Sequence, residues 1–169
     1  MNYRRVHIFG GAGSGKTTLA KRYAVEHGLV HRQLDDIYYI KASTRERREH
    51  EERDTLLSTF IEADEWVTEG IFWQPWVRPA LQRADKIIVL AVPESTRHVR
   101  VIRRHFQLLK QASSNEWPTF FPTLFELLKH NRAYNTSALH ETLELVSEFE
   151  DKVSVCSRNT EAEQILGLS

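Results

Sequence analysis

Apolar positions along this chain alternate between two rhythms, short continuous runs and longer stretches with helical spacing. Arg5-Val6-His7-Ile8-Phe9 reads as a strand, and a helix is expected from Lys16 to about His27. A second strand is expected from Leu29 to Leu34. A charged stretch from about Thr44 to Ala63 reads as helix, and Glu65 to Glu69 as a third strand stopped by Gly70. Lys86 to Val92 is the clearest buried strand, an unbroken apolar run of the kind parallel sheets require, and Pro93 ends it. Helices are expected over most of Glu94 to Phe149, with breaks near Trp117-Pro118 and at Pro122. Phe121, Leu124, Phe125 and Leu128 recur at helical spacing and predict a packed face. Lys152 to Cys156 reads as a fifth strand and Thr160 to Leu166 as a last helix. Strands separated by helices predict an α/β fold, a mostly parallel sheet covered on both faces. Ligands of such sheets gather at the carboxyl ends of the strands.

The first of those ends carries Gly10-Gly11-Ala12-Gly13-Ser14-Gly15-Lys16-Thr17, which fits the phosphate-loop pattern G-x-x-x-x-G-K-[ST]. Strand, tight loop and helix N-terminus follow in the order the chemistry needs. Glycines let backbone N–H groups wrap a polyphosphate without Cβ clashes, and the helix N-terminus adds partial positive charge. In this pattern Lys16 reaches the β- and γ-phosphates and the Thr17 hydroxyl ligates Mg²⁺. Gly10 to Thr18 are therefore the candidate nucleotide-binding residues.

Three further groups sit at strand ends. Asp35-Asp36 follows the second strand, where a carboxylate serves either to hold Mg²⁺ through water or to take a proton from an acceptor hydroxyl. Asp35 is preferred, because it stands directly at the end of the apolar run. Glu69 ends the third strand and is placed to position Mg²⁺. Arg97, Arg100 and Arg104 share a helix face, with Arg103 beside them. Like charges at these spacings repel, and a polyanionic ligand relieves them. The expected catalytic set is Lys16, Asp35, Arg100 and Arg104, and the expected metal set Thr17, Asp35 and Glu69.

Composition narrows the field. With 169 residues the chain suits one domain, expected to span residues 1–169. Lys plus Arg equals Asp plus Glu at 23 each, so no overall field draws it to nucleic acid or an anionic membrane. The single Cys156 excludes an internal disulfide framework, and the eight histidines show no metal-ligand pairing. Arg4 and Arg5 interrupt any apolar run near the start, so a signal peptide or membrane span is not expected and the cytoplasm is the default compartment.

These residues resemble the nucleoside-monophosphate-kinase branch of P-loop proteins, most closely the small adenylate-kinase-related proteins called DNA topology modulation proteins. The likeness runs through Gly10 to Thr18, Leu34-Asp35, the tryptophan-led third strand, Ala84 to Leu90 and Arg100-Val101-Ile102-Arg103-Arg104. Those proteins usually end the third strand in Asp-Gly, where this chain has Glu69-Gly70. Leu34-Asp35-Asp36-Ile37-Tyr38-Tyr39 and Glu69-Gly70-Ile71 are also similar to segments of uridine and ribosylnicotinamide kinases. The resemblance implies strand order 2-3-1-4-5, a helical lid at about 105–136 with its tip at Ser113 to Pro118, and a donor-base site at Ser157 to Thr160. Arg158 is expected to stack on that base.

Trp73 to Trp76 reads as an aromatic wall for a planar acceptor with Arg78 beside it, or as loop aromatics packed on the core. Arg132 and Tyr134 lie within reach of that acceptor if the lid folds over it. The expected activity is ATP- and Mg²⁺-dependent phosphoryl transfer to a nucleotide, nucleoside or other small acceptor. Nucleic acid is not expected as the primary ligand, and the chain is expected to be a monomer or weak homodimer. The alternative is a nucleotide-dependent switch without turnover. No Asn-Lys-x-Asp base-reading segment speaks for a GTPase.

Overall fold

Burial of alternate strand residues on opposite faces organises the molecule. The computed structural model describes residues 3–41, 46–109 and 117–168. Five strands form one parallel sheet: β1 (Arg5–Gly10), β2 (Val30–Gln33), β5 (Trp66–Gly70), β6 (Lys86–Leu90) and β7 (Val153–Cys156). Their spatial order is β2-β5-β1-β6-β7, with the strand that leads into the phosphate loop at the centre. In order of sequence along this sheet that is 2-3-1-4-5, as expected.

Each central strand presents apolar side chains to both sides, which is why β6 reads as a continuous run. Val6 and Ile8 of β1, with Ile88 and Leu90 of β6, face helices α1 (Lys16–His27) and α8 (Asn159–Leu166). Phe9, Ile87 and Val89 face the other way, toward α2 (Leu34–Tyr38), α3 (His50–Ile61) and α4 (Arg78–Arg83). The starts of β1 and β6 are tied together by Asp85, which accepts the Arg4 and Arg5 backbone N–H groups at 3.1 and 2.9 Å and pairs with the Arg5 guanidinium at 2.6 Å.

Beyond β6 come α5 (Glu94–Leu109) and α6 (Trp117–Ala133), then a π-helical turn at Tyr134–Ala138 and α7 (Leu139–Val146). The expected lid tip falls mostly outside the described residues.

Four expectations need correction. The second strand is shorter than expected, and Leu34 with both aspartates belongs to α2 instead of the strand end. The helix expected from Thr44 begins only at His50. Before it β4 (Glu46–Arg47) pairs antiparallel with β3 (Tyr39–Lys41), a small hairpin whose charged residues carry no alternating apolar signal. Pro122 does not break α6, which runs through it from Trp117 to Ala133. Phe125 is 72% exposed, so the apolar spacing in α6 does not make it part of a packed face.

Candidate functional site

The loop between β1 and α1 is built by two glycines in left-handed conformation, Gly13 at φ 76° and Gly15 at φ 93°. A side chain at Gly13 would also meet the Arg97 backbone carbonyl at 2.6 Å, so the loop lies against the first turn of α5. The Ser14 N–H closes a turn onto the Gly11 carbonyl at 3.1 Å. No side chain caps the N-terminus of α1 and no acid occupies its first turn, which leaves its amide donors for an anion. Gly10, Gly11 and Ser14 are buried, Ala12, Lys16 and Thr17 half-buried, and Thr18 exposed.

Across from the loop stands Glu69, brought there because β5 pairs with both β1 and β2, opposite Ile8 and Gln33. Thr17 Oγ1 donates to Glu69 Oε1 at 2.8 Å, and Lys16 Nζ lies 3.9 Å from Oε2. Glu69 is wholly buried, and its Oε2 has no hydrogen-bond partner. Burial raises its pKa above the ordinary carboxyl value, while Lys16 and the Thr17 hydrogen bond hold it down and the charges of Asp35 and Asp36 add to the rise. These three acids are therefore electrostatic neighbours. His31 Nε2 lies 3.9 Å from Glu69 Oε1, but burial and Lys21 lower its pKa and favour the neutral ring.

Asp35 and Asp36 occupy the first turn of α2, Asp35 half-buried and Asp36 exposed. Among the described residues no group of three or more His, Cys, Asp or Glu forms a metal cage. A hydroxyl and carboxylates beside a phosphate loop suit Mg²⁺ instead, which keeps water and takes phosphate oxygens as its remaining ligands.

The arginines separate into different roles. Arg97 is fully buried behind the loop, 4.8 Å over the Tyr134 ring, and donates to the Asn131 carbonyl at 3.0 Å. Burial lowers its pKa and raises that of Tyr134 to about 12. Arg100 donates from Nη1 to Gly13 O at 3.3 Å, to Ser14 O at 3.1 Å and to Asn159 Oδ1 at 2.8 Å. The first two of these acceptors are backbone carbonyls of the loop. Asn159 in turn donates to the Ser14 carbonyl at 2.8 Å. Arg103 and Arg104 are exposed. Arg158 sits at the start of α8 and donates to the Glu161 carboxylate from its backbone N–H at 3.3 Å and from Nε at 2.8 Å, its side chain 76% exposed.

Asn159 was not singled out from the sequence, where its only signal is a place in the turn after the fifth strand. The aromatics after β5 pack on the core, the second of the two expectations for this segment. Trp76 stacks on Tyr38 with ring centres 5.9 Å apart, and Phe72 packs against both. Arg78 is engaged with Glu148 instead. The cation at this wall is Arg53 of α3, which sequence reasoning passed over inside a charged helix. Its guanidinium lies 4.8 Å over the Trp76 ring.

No protein-family model matches the chain. Among curated proteins it is similar to YqaC of Bacillus subtilis (strain 168), an uncharacterized protein, with 25% identity over 104 residues. The match covers 62% of this chain and 58% of that protein, so the chain spans less than two thirds of the relative's length. Among solved structures it is similar to the Acinetobacter baumannii shikimate kinase in complex with shikimate, 21% identical, covering 82% of this chain and 79% of that one at a TM-score of 0.47. A gluconokinase from Sinorhizobium meliloti 1021 is 16% identical over 88% of this chain and 95% of its own, also at 0.47. At these identities and scores the likeness says nothing of what this chain acts on. The finer expectation of an adenylate-kinase-related chain draws no support from them.

Proposed function

We propose that this chain is an ATP- and Mg²⁺-dependent kinase that transfers the γ-phosphoryl group to a small-molecule acceptor. The observation that carries this reading is the contact of Thr17 and Lys16 with the buried carboxylate of Glu69 at the mouth of the phosphate loop. Loop amides and Lys16 bind and orient the β- and γ-phosphates, and Lys16 meets charge that grows during transfer. Thr17 and Glu69, with Asp35 through water, would hold Mg²⁺, which supplies charge neutralisation on the phosphate oxygens when bound.

Asp35, half-buried at the start of α2, takes the acceptor's proton as its oxygen bonds to the γ-phosphorus. The bond from that phosphorus to the bridging oxygen breaks, and the electron pair leaves with ADP. Arg104, exposed on the helix that Arg97 and Arg100 anchor to the loop, is assigned to meet the transferring group. Arg158, at the edge of the α8 turn, supports the donor base. The chain acts as a single unit on a small molecule, and no described helix is long and apolar enough to cross a membrane.

Lys16→Ala and Asp35→Asn test this reading together. Lys16→Ala should weaken ATP binding or transition-state stabilisation by roughly 2–4 kcal/mol, read by calorimetry and turnover. Asp35→Asn should lower turnover ~10²–10⁴-fold with little change in ATP affinity, and the exposed Asp36→Asn should do less. ATP binding without transfer to any acceptor would favour the nucleotide switch. Undiminished affinity and turnover in a folded Lys16→Ala protein would remove both.

A further inference from the structure

The two elements that bring acids to the phosphate loop both continue into one cleft. Three residues after Asp35, Tyr38 lies on the same side of α2. A few residues after Glu69, Phe72, Gln74 and Trp76 follow in the segment leading to α4. Together with Arg53, Asp54 and His50 of α3, Tyr38, Gln74 and Trp76 line a cleft of about 620 Å³. That size suits a ligand of one or two rings.

Its chemistry is selective. The strong charges in the lining are Arg53 and Asp54, and they are spent on each other: Arg53 Nε and Nη2 reach Asp54 Oδ1 at 2.7 and 2.6 Å. Arg47 stands 5.8 Å over the Tyr38 ring but does not line the cleft, and Arg48 is occupied by the Ile37 carbonyl and Glu52. A phosphate or carboxylate entering here would therefore lose its hydration without meeting an uncommitted cation among the lining residues.

Two buried polar atoms of the wall have no hydrogen-bond partner, the Trp76 Nε1 donor and the Gln74 Oε1 acceptor. A hydroxyl both accepts and donates, so a group of this kind can pair with either atom. The Tyr38 and Trp76 rings, stacked on each other at 30° with Arg47 and Arg53 over them, give the cleft an aromatic wall against which a ring can pack.

We propose that this cleft holds the phosphoryl acceptor, and that the acceptor is an uncharged, hydroxyl-bearing ring compound, a free sugar or a nucleoside. The proposal rests on the kinase reading above. Transfer then forms a phosphate ester on an acceptor hydroxyl, whose proton goes to Asp35, and the reaction that consumes the product must accept a phosphorylated sugar or nucleoside.

The test is calorimetry on the full chain with a non-hydrolysable ATP analogue present, using uridine, adenosine, D-glucose and the monophosphate of each. At least one uncharged compound should bind ~10-fold or more tightly than its phosphate ester, and whether glucose or a nucleoside does so distinguishes the two sources. Trp76→Ala should weaken that binding ~10-fold or more while the ATP analogue binds as before, which also reports that the variant is folded. Trp76→Phe, which keeps the ring and loses the N–H, should weaken it less.

Asp54→Asn is the sharper arm. It releases the Arg53 charge, so affinity for the monophosphates should rise relative to the uncharged compounds. Tighter wild-type binding of a monophosphate, binding by none of the six compounds, or indifference to both Trp76 and Asp54 substitutions would overturn the assignment. In a parallel assay with ATP itself, uncharged ligand bound at Trp76 without phosphoryl transfer would support the ligand class and sink the kinase reading. Transfer to a monophosphate would keep the kinase and sink the ligand class.

Discussion

Asn159 lies 145 residues beyond Ser14, yet its side-chain amide donates to the Ser14 carbonyl at 2.8 Å while its oxygen accepts from Arg100. Arg100 reaches the Gly13 and Ser14 carbonyls as well. The carbonyl side of the phosphate loop is thus held by α5 and α8, and a loop fixed by its acceptors keeps its N–H groups set for a ligand.

Arg100 and Asn159 should therefore behave as one unit. Arg100→Ala should lower turnover ~10²-fold, and Asn159→Ala should weaken ATP binding by roughly 1–2 kcal/mol. In a double-mutant cycle the second substitution should cost much less after the first. Additive losses would mean that each residue acts separately.

Glu69 should trade stability for activity. In the unfolded chain its carboxyl ionises in the ordinary range, whereas burial raises the native value. The native state is penalised as pH rises from the unfolded to the folded pKa, and the penalty stays constant above that. Glu69→Gln should thus raise the Tm of the ligand-free protein at neutral pH and lose that advantage in acid. The same variant should lose most Mg²⁺-dependent turnover. A lower Tm at neutral pH would show that the ionised carboxylate is stabilised in place.

Acid lability should trace to His7. Its ring is fully buried, with Nδ1 2.7 Å from Thr68 Oγ1, and burial pushes its pKa down from 6.5 to about 3. An unfolded His7 takes a proton near its ordinary value and the native one does not, so stability falls as pH drops through that window. His7→Leu should lose ~3 kcal/mol less than the parent protein between about pH 7 and about pH 4, measured by urea unfolding. Equal losses in the two proteins would place the acid sensitivity elsewhere.

Local chemistry explains what could be read from the residues alone. The strand, loop and helix from Arg5 to His27 follow from contiguous pattern and glycine placement, and the helix bounds agree with the expectation. The spatial order of the strands came from family resemblance, because periodicity does not say which strands become neighbours. Glu69 could be placed at a strand end, but its bond to Thr17 depends on pairing between β1 and β5. Asn159, Arg53 and the Tyr38–Trp76 stack were beyond reach for the same reason. Each is an ordinary surface residue type until the sheet brings its distant partner alongside. The β3–β4 hairpin was missed because its charged residues look like the flank of a helix.

The bond between Asn159 and Ser14 also sets an order of events during synthesis. The phosphate loop leaves the ribosome before α8, and the side chain that grips its carbonyl follows 145 residues later. Until then a nascent chain can carry the loop's glycines and Lys16 without the clamp that fixes them. Nucleotide capture should accordingly appear only once α8 has docked against the loop.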